Sequence, residues 1–186
     1  MKKKRSFPLK ALVMMAMLSA ISIILGKYLA IPGGEVLRFS FENLPIIFAG
    51  IAFGPLGGAL VGVVADLIGC VLVGYVINPI VTAGAFVIGF VSGIVYRLLY
   101  RIPHLHSVVT VGATVILAHL FGSVIVKTFG LAKFYDMPFF ILMLWRLLNY
   151  VIVGSIEVFL LYFLLKNKRI RREIVHFGVT KTERSK

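Results

Sequence analysis

Four residues near the end of the chain share one face of a predicted helix and give it a polar stripe. Arg146, Asn149, Val153 and Glu157 are spaced i, i+3, i+7 and i+11, which aligns them along one side of an α-helix. Lipid cannot satisfy the three polar groups, so they must face the interior of a helix bundle or a cavity. Two interpretations follow. Arg146 forms an internal salt bridge with Asp66 or Glu157, or the outer end of the stripe lines a solute pocket.

Cations and aromatic rings are both frequent in the segments predicted to lie near the outer surface of the membrane. The positive-inside trend would deplete cations there. Cations bind carboxylates and flat rings stack, so the pattern suits a solute with carboxylates and a planar ring system. Interfacial anchoring of the aromatic rings is the alternative. The cations are Lys27, Arg38, Lys127, Lys133 and Arg146, and the rings include Tyr28, Phe39, Phe41, Tyr75, Phe134, Tyr135 and Trp145.

The segment between Leu56 and Val73 predicts a buried helix that packs closely against a neighbour. It carries one stripe of small residues and, near its middle, the single carboxylate Asp66. Small residues at this spacing allow two helices to approach closely within a bilayer. A second such stripe follows in the next helix. The first stripe is Gly58, Gly62, Ala65 and Gly69, and the second is Ala85, Gly89 and Gly93.

The composition is that of an integral membrane protein. The chain has 186 residues, of which 60% are hydrophobic, and its mean hydropathy is +1.00. A soluble domain cannot bury so much apolar surface. Spanning a bilayer takes about 20 residues per helix, so the length allows about five to seven spans. The prediction is an all-α, six-helix transmembrane bundle that forms a single domain over residues 1–186.

The placement of the basic residues predicts the orientation. They cluster at Lys2–Lys10, at Arg97 and Arg101, and from Lys166 onward. Basic flanks stay cytoplasmic, so both termini are expected inside, with a basic N-terminus at 1–8 and a basic tail at 167–186. A nucleic-acid partner is not expected, because these residues flank hydrophobic helices instead of forming a patch on a soluble fold.

Six spans and their connections can be predicted. The second span is short, because ten residues cover only about 15 Å of helix. Glu42 or Asn43 is expected to cap it. An outer loop is predicted over Lys127–Met137. The spans run approximately Leu9–Leu29, Leu44–Phe53, Leu56–Val73, Ile80–Leu99, Val108–Val126 and Pro138–Leu165.

No catalytic constellation is present in the sequence. It has no HExxH motif, Ser/His/Asp order, paired catalytic carboxylates or nucleotide-binding P-loop, so neither an enzyme nor a cofactor or metal site is expected. His119, inside the fifth span, is either a hydrogen-bonded packing residue or part of a polar site. An ion channel would require a repeated pore element or an oligomer, and no filter-like loop is visible.

The chain resembles the substrate-binding S components of energy-coupling factor (ECF) vitamin transporters, and within them the folate family. The resemblance lies in LRFSFENLPIIFAGIAFGPLGGALVGVVADLIG and GYVINPIVTAGAFVIG, and in Ala16 and Ala20 within AMLSA. It implies a multi-pass protein of a prokaryotic plasma membrane that captures folate or a related vitamin from outside. It also implies a transmembrane coupling subunit and two ATP-binding subunits as partners, with Ala16 and Ala20 contacting the coupling subunit.

The resemblance also implies where the vitamin binds. By position, the pocket residues are Tyr75, Asn78, Arg146 and Asn149. For folate, Asn78 or Asn149 would hydrogen-bond the edge of the pterin ring. Arg146 would neutralise solute charge.

Two further contacts are hypotheses for folate specifically. Arg38 and Lys127 would bind the two carboxylates of the folate tail. Tyr75 or Tyr135 would stack on the pterin.

Other functions stay open from the sequence. The loop reads GYVINPIVT where some folate-type members carry a PGFT-like loop, so pantothenate or a queuosine precursor are alternative solutes. A structural membrane protein that binds no solute is the alternative from another class.

Overall fold

The computed structural model describes residues 8–32, 38–102, 107–168 and 170. Two π-helical segments extend the α-helices: π1 (Ile24–Tyr28) continues the first helix, and π2 (His119–Lys127) joins the fifth to the sixth. Strands β1 (Ile31–Pro32) and β2 (Arg38–Phe39) pair antiparallel between the first two helices. The α-helices are α1 (Leu9–Ile23), α2 (Asn43–Phe53), α3 (Pro55–Leu72), α4 (Pro79–Tyr100), α5 (Ser107–Ala118), α6 (Thr128–Tyr135) and α7 (Phe139–Lys166).

The described residues form a bundle of six helical segments, which confirms the predicted all-α membrane fold. Five are long and apolar enough to cross a membrane, and α2 is a shorter apolar helix. The cytoplasmic location of both termini stays a prediction, and residues 1–7 and 171–186 of the basic flanks lie outside the described part of the chain. The five long segments are Leu9–Tyr28, Pro55–Leu72, Pro79–Tyr100, Ser107–Phe134 and Phe139–Lys166.

The short helix α2 lies in the core of the bundle. Nine of its 11 residues are buried, and Ile47 and Ile51 are fully inaccessible. It packs against α1, α3, α4 and α7. Because its neighbours cover it on all sides, α2 does not need the length of a lipid-exposed span.

The two predicted small-residue stripes face each other across α3 and α4. A Cβ on Gly89 would collide with the backbone of Gly58, and a Cβ on Gly62 would collide with the Ala85 backbone. Gly93 is likewise closed off by the backbone of Pro55. This close approach confirms the predicted packing surface and fixes α3 and α4 relative to each other.

The predicted outer loop over Lys127–Met137 is wrong for most of its length. Lys127 ends π2 and α6 continues to Tyr135, where Asp136 adopts a left-handed conformation (φ 52°) and ends the helix. Gly130, in the middle of this helix, lies at a helix crossing. A Cβ there would meet the Ile80 side chain at 2.9 Å.

The predicted capping of α2 by Glu42 or Asn43 is also wrong. Glu42 occupies the N-cap position but makes no capping hydrogen bond through its side chain, and Asn43 is the first helical residue. Both side chains instead accept hydrogen bonds from Lys127, which lies 85 residues after Glu42 and 84 residues after Asn43. A distant partner in the fold therefore replaces the local cap.

Candidate solute-binding site

A cavity of about 440 Å³ opens at the end of the bundle where α3 ends and α4 and α7 begin. Its volume is in the range of small-molecule sites, about 300–1,000 Å³. Both polar and aromatic side chains form its walls. The lining residues are Gly26, Lys27, Ser40, Glu42, Asp66, Cys70, Tyr75, Val76, Asn78, Val81, Leu131, Phe134, Met137, Arg146, Asn149 and Tyr150.

Two cations in the cavity wall lack a carboxylate partner. Within the described residues, no Asp or Glu oxygen lies within 4.0 Å of Lys27 Nζ or of the Arg146 guanidinium. Lys27 Nζ lies 4.0 Å from Cys70 Sγ and 5.5 Å from the centre of the Tyr75 ring. Arg146 Nη1 donates to the Ser123 carbonyl oxygen at 2.9 Å. Of the two interpretations of the polar stripe, the internal salt bridge of Arg146 with Asp66 or Glu157 is therefore wrong for the described residues.

The π-helical segments place the residues that build this charge arrangement. Lys27 belongs to π1, and Ser123 and Lys127 belong to π2. A π-helical turn changes the register of the side chains along a helix, and such turns occur frequently at functional sites. The Ser123 carbonyl accepts from both Arg146 and the Thr128 hydroxyl, which holds the guanidinium at the cavity wall.

The acid Glu42 is neutralised within the protein. Its Oε1 accepts from Lys127 Nζ at 2.7 Å, and the Lys127 side chain is only 4% exposed. Burial by itself would raise the pKa of Glu42, but the Lys127 and Lys27 ammonium groups lower it from 4.5 to about 2. Lys127 lies behind the cavity wall, so its charge is used by Glu42 and not presented to a solute.

The other acid of the cavity, Asp66, bridges α3 to α4. Its Oδ2 accepts from the Thr82 hydroxyl at 2.6 Å. Thr82 stands in the first turn of α4. Asn78 caps the N-terminus of this helix, because its side-chain oxygen accepts from the backbone N–H groups of Ile80 and Val81 at 3.0 and 3.4 Å. Asp66 is therefore held in place by the best-packed helix pair of the bundle.

Below the cavity, the second acid of α7 has its own partner. His119 Nε2 and Glu157 Oε2 are 2.5 Å apart, and both side chains are buried. The His119 ring stacks on Tyr150 at 4.4 Å, with Ser123 Oγ 3.3 Å from its Nδ1. Of the two interpretations of His119, the hydrogen-bonded packing residue is the one observed. Its stacking partner Tyr150 reaches the cavity.

The structure brings together four of the seven predicted pocket residues. Tyr75, Asn78, Arg146 and Asn149 all line the cavity. Asn78, however, uses its Nδ2 to donate to the Gly130 carbonyl at 3.0 Å as well as capping α4.

Of the other three predicted pocket residues, Lys127 faces Glu42, and the side chains of Arg38 and Tyr135 lie outside the described part of the structure. The sequence reasoning missed Lys27, Asp66 and Glu42 as pocket residues. Lys27 was already visible among the outer cations, and Asp66 as a carboxylate within a span.

The predicted docking pair lies on the outside of the bundle. Ala16 and Ala20 are both exposed, whereas Met15 and Ser19 on the adjoining face of α1 are buried. The pair is therefore available to a partner, and its role in docking stays a prediction.

We expect Glu42→Gln to destabilise the fold, because it leaves the Lys127 ammonium buried without a counter-charge. The loss should be roughly 3 kcal/mol in the free energy of unfolding, the lower end for a broken buried pair, since Glu42 retains 26% exposure. Because the pKa of Glu42 is lowered from 4.5 to about 2, its contribution is fully present above pH 4.5 and is lost as the pH falls through about 2.

Thermal unfolding of both proteins in detergent, between pH 7 and pH 3, measures this. The difference in Tm between the parent and Glu42→Gln should stay constant from pH 7 to 5 and should narrow below pH 4.5. The double variant Glu42→Gln/Lys127→Met, which removes both charges, should recover most of the loss. Equal Tm values for Glu42→Gln and the parent at pH 7 would contradict the account.

Comparison with known proteins assigns the family. Residues 10–166 match the sequence model of the family described as "ECF transporter, substrate-specific component". The chain is 30% identical over 168 residues to the folate transporter FolT of Leuconostoc mesenteroides subsp. mesenteroides, and the match covers 85% of each chain.

Solved structures share the fold. The crystal structure of FolT bound with folic acid superimposes with a TM-score of 0.67 and 25% identity, over 84% of this chain and 93% of that one. The S component for biotin from an ECF-type ABC transporter gives a TM-score of 0.65 at 19% identity, over 89% and 96% of the two chains, and supports the fold alone. The chain therefore belongs to the ECF transporter family of substrate-specific components, which are multi-pass membrane proteins.

Proposed function

We propose that this S component captures folate from outside the cell in the cavity between α3, α4 and α7. The observation that carries the proposal is a pair of cations, Lys27 and Arg146, that face the cavity and have no carboxylate partner among the described residues. The similarity to a folate transporter supports it.

The charges of the cavity favour an anionic solute. Glu42 and Lys127 cancel each other, which leaves Lys27, Arg146 and Asp66 as the ionisable groups that decide its charge. Their sum is one positive charge, and neither cation is engaged by Asp66. An unpaired cation at membrane depth is costly. A solute that brings carboxylates lowers this cost and gains charge-assisted hydrogen bonds.

The walls of the cavity favour a flat ring on the same solute. Tyr75, Phe134 and Tyr150 contribute aromatic side chains, and aromatic rings stack on planar heterocycles in offset or edge-to-face geometry. Folate combines a planar pterin, a benzoyl ring and a tail with two carboxylates. Lys27 takes the role that the sequence gave to Lys127, because the Lys127 charge is already used.

Transport requires partners that this chain does not supply. Since the sequence has no nucleotide-binding motif, we infer that a transmembrane coupling subunit and two ATP-binding subunits of an ECF module, in a prokaryotic plasma membrane, drive delivery inward. The exposed pair Ala16 and Ala20 gives α1 a flat surface on which a helix of the coupling subunit can pack closely.

We expect Lys27→Met and Arg146→Met each to weaken folate binding by about 10- to 100-fold. Each variant removes a hydrogen bond to a charged group, which contributes about 1.5–3 kcal/mol to the binding free energy. Isothermal titration of the vitamin-depleted protein with folate measures it. Lys133→Met is the matched control, because Lys133 is exposed and does not line this cavity.

The same titration separates the alternatives. Unchanged affinity in both cavity variants would contradict the role of the cations. Binding of pantothenate but not folate by the parent would redirect the proposal to another vitamin. Binding of no vitamin at all would favour a structural membrane protein.

We expect Ala16→Trp/Ala20→Trp to abolish association with the coupling subunit and to leave folate affinity unchanged. Two indole rings on this face keep a partner helix from approaching. Co-purification of the tagged S component with its ECF module measures association. Ala83→Trp, at an exposed alanine on α4, should retain the complex. Parallel loss of folate binding would show that the pair packs internally instead.

A further inference from the structure

We propose that Asp66 recognises the amino-pyrimidinone edge of the pterin ring and so selects the ring system of the solute. The inference rests on the proposed function and adds to it, because that function uses Asp66 only in the sum of the cavity charges. A carboxylate is unexpected in a cavity built for an anion. The Thr82 hydroxyl uses only part of the accepting capacity of this carboxylate, which leaves it able to accept a donor that the solute brings.

Asp66 forms no ion pair with the cations of the cavity. In the described part of the chain, Lys27 and Arg146 line the same cavity, yet neither nitrogen lies within 4.0 Å of the Asp66 carboxylate. Its one hydrogen bond among these residues comes from a neutral hydroxyl, that of Thr82. The negative charge is thus left for a further donor from within the cavity.

The Asp66 carboxylate is held in one orientation. The Thr82 Oγ1–Asp66 Oδ2 distance of 2.6 Å is that of a strong charge-assisted hydrogen bond. Thr82 stands on the turn that Asn78 caps, and Gly62, one turn below Asp66, packs against Ala85 of α4. Oδ2 is thereby positioned, and Oδ1 has no hydrogen-bond donor within the described residues.

The Asp66 carboxylate selects a particular arrangement of donors. An ionised carboxylate accepts hydrogen bonds but donates none, and it binds two parallel N–H groups best, as it does with a guanidinium. The pyrimidinone ring of a pterin presents this pair, the ring N3–H and the 2-amino group, on one edge. The amide of an asparagine would present one donor to that edge and could not replace the acid.

The depths of Asp66 and Lys27 in the cavity set the direction in which the solute lies. Asp66 is six residues before the end of α3, about 9 Å into the helix at 1.5 Å per residue. Lys27 lies near Cys70 and over the ring of Tyr75, which follows the end of α3. The acceptor is therefore deeper than this cation. The pterin enters first and the carboxylate tail stays near Lys27.

Titration of the full chain with three probes tests the inference. The probes are folate, pteroic acid, which lacks the glutamate tail, and 2-desamino-2-methylfolate, which lacks the 2-amino donor. Asp66→Asn should weaken folate and pteroic acid each by tenfold or more, and it should weaken the 2-desamino analogue, which keeps only the N3–H donor, by a smaller factor. Lys27→Met, the matched variant, should weaken folate by a larger factor than pteroic acid, which has one carboxylate in place of the two of the glutamate tail.

The parent protein alone keeps the test decisive if Asp66→Asn fails to fold. The parent should bind the 2-desamino analogue at least tenfold more weakly than folate. Equal affinity for the two, or a folded Asp66→Asn that binds folate like the parent, would overturn the role of Asp66. Absence of any folate or pteroic acid binding by the parent would overturn the proposed function itself, so the two failures are distinguishable.

Discussion

A charge at membrane depth needs a partner, and this requirement organises the structure. Two pairs of ionisable groups in the described residues join distant segments of the chain: Lys127 with Glu42, and His119 with Glu157. Lys27 and Arg146 form no such pair among these residues, and both stand in the wall of the same cavity. Among the described residues, two pairs are thus formed where the bundle is packed, whereas Lys27, Arg146 and Asp66 line its open end without an ion-pair partner. That difference separates the structural charges from those available to a solute.

The rigid part of the bundle positions the open part. Interlocking glycines hold α3 against α4, and the buried helix α2 fills the space beside them. The ends of these helices then carry the cavity: Asp66 and Cys70 on α3, with Asn78 and Thr82 at the start of α4. Lys27 and the Ser123 carbonyl come from π-helical turns. Packing therefore fixes the acid, and the π-helical turns orient the cations.

Hydrophobic length and local spacing were sufficient to predict the fold and half of the site. The six helices, each of the two small-residue stripes and the polar face with Arg146 and Asn149 follow from patterns within one segment. Contacts between distant segments were not predictable. Glu42 resembled a helix cap because its partner Lys127 is 85 residues away. A loop was predicted over Lys127–Met137 because the helix crossing of Gly130 with Ile80 is invisible in sequence. Lys27 was one of five outer cations, and nothing in the local sequence singled it out.

The central claim is that the cavity beside Lys27 admits water and is filled by the solute. Cys70, the one cysteine of the chain, lines this cavity and can report on it directly. The decisive measurement is the rate at which a small thiol reagent modifies Cys70 in the purified, vitamin-depleted protein, with and without saturating folate. The account predicts measurable modification that folate slows by tenfold or more. A thiol that reacts only after unfolding, or at the same rate with folate present, would contradict it.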